Sequence, residues 1–165
     1  MWYSGITYDS GSYNSSSILG TPTSFSWYAL NMKDLKLFFI ALPITIAIDL
    51  VWITVIASSF YKEQFGALLS PTPNLLVGLL FYVIYMVGII VFVLRPALAA
   101  QSLPKAIALG ATLGFVAYAT YDLTNLATTT NWSLLLTVVD MAWGTFLTGF
   151  VSGITYLLAT KLFKI

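Results

Sequence analysis

This sequence predicts an all-α integral membrane protein, a bundle of four transmembrane helices, on three observations. The chain of 165 residues is 59% hydrophobic and 8% charged, with a mean hydropathy of +0.89, whereas soluble domains carry about 25% charged residues. Its apolar residues collect in four runs, near 37–59, 75–94, 105–126 and 133–158, each as long as the roughly 20 residues a helix needs to cross a bilayer. Between the runs stand residues that stop helices.

Taken in order, residues 1–31 are set apart from the membrane domain of residues 32–165. They are rich in Ser, Tyr, Gly, Thr and Asn, with Asp9 as their only charge, and no Lys or Arg precedes Lys33. That pattern argues against a signal peptide or an Arg-rich presequence. Composition suits a disordered tail. Trp2, Tyr3, Tyr8, Tyr13, Phe25, Trp27 and Tyr28 suit a docking arm instead, since aromatics among Ser and Gly give contact area at low entropy cost. The first span holds Pro43, which is expected to kink it. Ser70-Pro71-Thr72-Pro73-Asn74 closes the first loop, because its prolines remove donors and restrict their neighbours. Arg95-Pro96 is expected to end the second span, and Pro104 suits the first turn of the third. Thr128-Thr129-Thr130-Asn131 makes a short polar turn before Trp132, an expected interfacial anchor.

An even number of spans places both termini on one side. That side collects Lys33, Lys36, Arg95, Lys105, Lys161 and Lys164, against Lys62 alone on the other. The positive-inside rule then puts both termini in the cytoplasm or its equivalent, in a bacterial inner membrane or an organelle or photosynthetic membrane of bacterial descent. A net charge of +1 offers no basic surface for nucleic acid. Without cysteine or histidine there are no disulfides, thiolate or imidazole metal sites, or His-based acid–base chemistry.

Against this background, Asp49, Asp122 and Asp140 stand out, half of the six acidic residues, each inside an apolar run. An ionisable group in hydrocarbon is expensive and points to a function or a specific internal contact. All three lie toward the non-cytoplasmic ends of their helices, within about two helical turns of one another in depth. Gly110, Gly114, Tyr118 and Asp122 recur at i+4 on the third span, followed by Asn125. Asp140, Gly144 and Thr148 do so on the fourth, beside Gly149 and Gly153. Small residues at that spacing let membrane helices approach closely, and the short turn makes these two helices antiparallel neighbours. Ile48–Thr54 also resembles Val139–Thr145: in both, a Trp follows an Asp at i+3 (Asp49 and Trp52, Asp140 and Trp143). The two helices run in opposite directions, as an inverted repeat requires. Two readings follow. The aspartates bind a proton, a cation or a cationic part of a solute, or they hydrogen-bond Trp52, Trp143, Tyr118, Tyr121, Thr45 or Asn125 and lock the bundle.

Several strings have the look of one family. Asp49-x-x-Trp52, Phe60-Tyr61-Lys62, Phe81-Tyr82, Arg95-Pro96-Ala97, Tyr118-Ala119-Thr120-Tyr121-Asp122-Leu123-Thr124-Asn125-Leu126-Ala127-Thr128 and Asp140-Met141-Ala142-Trp143-Gly144 resemble domain-of-unknown-function family 2177, small predicted bacterial membrane proteins. The resemblance runs from about Met32 to the end. It implies four spans and the same buried aspartates, and it implies no activity. The chain departs from the family pattern at Ala67, where a loop histidine is common, and at Thr130-Asn131, where a lysine is.

The expected function is an accessory or structural subunit of a larger membrane complex, such as a respiratory, photosynthetic or ATP-synthase assembly, with lipids and other subunits as partners. The aromatic arm, the small size and the lack of catalytic motifs favour it. The alternative is a transporter of protons, cations or small solutes, working as a homo-oligomer through the aspartates. An intramembrane enzyme with two aspartates as an acid–base pair is disfavoured by the missing nucleophile and cofactor motifs. No cofactor is identifiable; lipid, quinone or pigment contact is compatible with the aromatic content of 16%.

Overall fold

A computed structural model describes residues 31–164. The proposed docking arm lies outside the described residues. All regular structure among these residues is helical. Helix α1 covers Met32–Val51 and continues through a π-helical turn, Trp52–Ile56. Short helix α2 is Ser58–Phe65. Helix α3, Leu75–Ile89, passes through a second π-helical turn, Ile90–Leu94, into α4, Arg95–Ala99. Helices α5, Leu103–Thr128, and α6, Leu134–Lys161, complete the chain. Four spans are long and apolar enough to cross a membrane: Met32–Ile56, Leu75–Ala99, Leu103–Thr128 and Leu134–Lys161. We call the end holding the start of α1 and the end of α6 the terminal end, and its opposite the loop end.

Side-chain caps explain where the spans start. The Asn31 side chain accepts from the Lys33 and Asp34 backbone N–H groups at 2.9 and 3.1 Å, and Asp34 accepts from the Asn31 N–H at 2.8 Å. This reciprocal box satisfies donors that a helix start leaves unpaired, so α1 begins before the apolar run does. At α3, α5 and α6 the side chains of Asn74, Ser102 and Ser133 accept from N–H groups of the first turn, without the reciprocal bond. The helical run is unbroken at Pro43.

The second span does not end at Arg95-Pro96. Ahead of Pro96 the ladder has widened, with the Arg95 N–H on the Ile90 carbonyl, and Pro96 sits in the first turn of α4, where a missing N–H costs little. The chain turns at 100–102 instead, with Gln101 left-handed at φ 48°. Within the other π-turn the Thr54 hydroxyl donates to the Leu50 carbonyl at 2.6 Å, and the Ala57 N–H closes the turn on the Trp52 carbonyl at 2.7 Å.

Helices α5 and α6 form the tightest pair. A methyl group on Gly114 would collide with the Gly144 carbonyl, and one on Gly144 with the Tyr118 ring. The two backbones are therefore in direct contact, as the small-residue spacing predicts. Gly110 meets Ser152 and Thr148; Gly149 and Gly153 lie against Ala111 and Ile107. Helix α1 packs on α6 and α3 over a core that includes Leu37, Ala41, Met86, Ile89, Leu147 and Val151. Large apolar side chains such as Phe39, Leu76, Ile84, Phe92 and Val138 point outward, toward the lipid that a spanning bundle requires.

Candidate functional site: a carboxylate and aromatic cavity at the loop end

Asp49 near the end of α1 and Asp140 near the start of α6 come from antiparallel helices and meet at the loop end. Both are buried, at 5% and 7% exposure. The Tyr82 hydroxyl of α3 donates to Asp49 Oδ2 at 2.6 Å, and the Trp143 indole N–H donates to Asp49 Oδ1 at 2.9 Å. The Tyr61 hydroxyl of α2 donates to Asp140 Oδ1 and accepts from the Trp52 indole N–H at 3.0 Å. Burial, and then the carboxylate it faces, hold the Tyr61 phenol well above its ordinary range, so it is a neutral donor.

The two Asp-x-x-Trp segments thus serve each other. Trp143 donates directly to the aspartate of the first segment. Trp52 reaches the aspartate of the second through Tyr61. Their indoles stack at 4.1 Å with 7° between the planes, which fixes α1 against α6 at this depth. The i+3 spacing aims each Trp at the other helix's aspartate rather than at its own.

Helix α2 lies across this end. Its Tyr61 and Phe65 turn inward, while Lys62 and Glu63 are exposed. The Phe65 ring stacks with Tyr61 and meets Trp132 edge-on at 5.5 Å. Trp132, in the turn between α5 and α6, also touches Tyr121.

Beside these groups is a cavity of about 350 Å³, with Asp49 and Asp140 in its wall together with the rings of Tyr61, Tyr82, Tyr118 and Trp143. A second space of about 300 Å³ shares Phe81, Tyr118 and Asp140 with it and reaches Tyr85 and Tyr121. Among the described residues, no lysine or arginine lines either one. The ion pair that Arg95 makes with Asp34 is at the terminal end, at 2.7 Å.

Asp122 takes a different place. It is fully buried, and neither of its oxygens has a hydrogen-bond partner among the described residues. The α5–α6 register, with Gly110 against Ser152, Gly114 against Thr148 and Tyr118 against Gly144, carries it to the level of Asp140. Asn125 is not part of the cluster: its amide donates to the Tyr121 carbonyl at 2.9 Å within its own helix. Thr45 likewise bonds the Ala41 carbonyl and the Met86 sulfur. The carboxylate partners not singled out from polar residues in the spans are Tyr61 and Tyr82. Their only sequence signal is their place in Phe60-Tyr61-Lys62 and Phe81-Tyr82.

These features define a small polytopic helical membrane protein with a buried acidic and aromatic site at one end. The chain belongs to the DUF2177 family of predicted membrane proteins, whose profile matches residues 34–157, a stretch that contains every side chain of the site. No curated protein and no solved structure matches it.

Proposed function

We propose that this protein binds cations at Asp49 and Asp140 and moves them across its membrane in exchange for protons. The observation that carries the reading is a cavity walled by two carboxylates, with aromatic rings and no fixed cation. Each carboxylate loses several kcal/mol of hydration on burial. The interhelical hydrogen bonds around them average about 0.6 kcal/mol each in membranes, so four return about 2 kcal/mol. Packing alone therefore explains this arrangement poorly, and a mobile positive charge in the cavity supplies the missing compensation. A proton on either aspartate satisfies the same need, which makes proton and cation competitors for one site.

Between the site and the terminal end lies a packed layer that includes Met86, Ile89, Val93, Leu147 and Val151 together with the buried hydroxyl residues Thr45, Thr148 and Ser152. Passage therefore requires helix movement, and a second copy is the expected partner for four spans. The accessory-subunit reading rests on the aromatic arm, which lies outside the described residues, and on the small size and the lack of catalytic motifs; the paired carboxylates of the cavity favour transport over it.

The test is flux in liposomes holding the purified full chain, driven by a proton gradient. Wild type is expected to move cations, and Asp49→Asn with Asp140→Asn to abolish movement. Flux that survives in a variant with all three aspartates changed to asparagine would sink the proposal.

A further inference from the structure

Resting on that reading, we infer that the cation taken by this site is a lipophilic organic cation without hydrogen-bond donors, such as a quaternary ammonium, which enters sideways from the lipid. Three features of the wall select it. First, the donors nearest the carboxylates are already committed: Tyr82 and Trp143 on Asp49, Tyr61 on Asp140, and Trp52 on Tyr61. Each oxygen of Asp49 already accepts one of these bonds, so at Asp49 charge supplies the larger part of the attraction.

Second, those same bonds hold the aromatic rings in place as walls. With Phe81 and Tyr118 they supply π faces, which attract a cation best when it sheds water easily. Trp143 is held between Trp52, stacked at 4.1 Å, and Phe146 at 5.7 Å, and it still contributes to the cavity wall. An inorganic ion needs a shell of oxygens, and the described residues include no cluster of three His, Cys, Asp or Glu side chains able to hold a metal. A space of about 350 Å³ is of the size that suits a small organic molecule.

Third, the mouth is apolar. Ile53, Leu69 and Phe81 line the cavity and are 42%, 45% and 47% exposed. Gly78 of α3 lines it too, and a side chain added there would meet open space. In a spanning bundle this opening between α1 and α3 faces the membrane, from which a cation clothed in carbon is drawn.

The test uses the full chain in nanodiscs, with benzyltrimethylammonium as the probe, its neutral isostere neopentylbenzene as the charge control, and sodium, potassium and magnesium as competitors. Benzyltrimethylammonium is expected to bind and to quench tryptophan fluorescence. Neopentylbenzene should bind at least about tenfold more weakly, and Asp49→Asn or Tyr118→Ala should weaken the cation by about tenfold or more. Gly78→Trp should block binding without lowering the melting temperature. Equal binding of the two isosteres, or binding untouched by Gly78→Trp in a folded protein, overturns the inference. Aspartate-dependent, proton-driven flux of inorganic cations without any binding of the organic cation also overturns it, while leaving the proposed function standing.

Discussion

Tyr61 shows how much one hydroxyl can carry in this bundle. It takes the Trp52 N–H from α1 and gives its own proton to Asp140 on α6, so α2 joins two spans through a single oxygen. Replacing it with Phe keeps the ring and removes the bridge, at an expected cost of about 1 kcal/mol at neutral pH. The pH dependence has a definite sign. The folded phenol titrates above its ordinary value of 10.0 because burial and the Asp140 carboxylate both disfavour the phenolate. The stability it contributes is therefore complete below pH 10.0 and is lost as pH rises above that value. Melting curves in detergent from about pH 8 to about pH 11 should show wild type losing more stability than Tyr61→Phe. Parallel losses would remove Tyr61 from any titrating role. The same residue marks a limit of the sequence. Asp49, Asp140 and Trp143 were legible because polar groups in apolar runs are costly and therefore conspicuous. A tyrosine near the end of a span reads equally well as part of an interfacial belt, and nothing local reveals which carboxylate it meets.

Among the elements, the α5–α6 hairpin was the most legible and is the most tightly built. Glycine and small residues at i+4, plus a short turn, left one arrangement for two neighbouring spans. The space around the glycines grades them. A Cβ on Gly114 would collide with the Gly144 backbone carbonyl, which cannot move alone, whereas on Gly149 the nearest atoms, the Ala111 Cβ and the Ile107 carbonyl, are both 3.3 Å away. Gly114→Ala should thus cost about 1–3 kcal/mol and Gly149→Ala less than about 1 kcal/mol, measured by thermal unfolding in one detergent. Equal costs would mean that direct backbone contact is not what unites the pair. Helix edges were less legible. Capping by Asn31 carries α1 back past the apolar run, and the π-turn before Pro96 carries the second span onward past a proline that composition alone reads as a stop. Both depend on hydrogen bonds that the hydropathy of a segment does not register.

The whole molecule sets two kinds of acidic group at opposite ends. At the loop end Asp49 and Asp140 meet neutral donors and an open cavity. At the terminal end Asp34 accepts two bonds from Arg95, at 3.0 Å from Nε and 2.7 Å from Nη2, and these fasten the start of the first span to the end of the second. Such bidentate, charge-assisted pairs fix geometry as well as energy. Nothing in the sequence proposed this partnership, because Asp34 sits among Lys33 and Lys36 at the edge of a span and Arg95 stands 61 residues away. The pair and the cap can be separated experimentally. Asp34→Asn keeps an acceptor for the Asn31 N–H but removes the charge, and should cost about 3 kcal/mol, in line with breaking a buried ion pair. Asn31→Ala removes the cap alone, at about 1 kcal/mol. If the order of these losses is reversed in detergent melts, the cap rather than the ion pair anchors the first span. If it holds, a cation exchanger of the proposed kind has one end fastened by a fixed charge pair. Its movements would then be concentrated at the other end, where α2 covers the carboxylates through Tyr61, bonded to Trp52 and Asp140, and through the contact of Phe65 with Trp132.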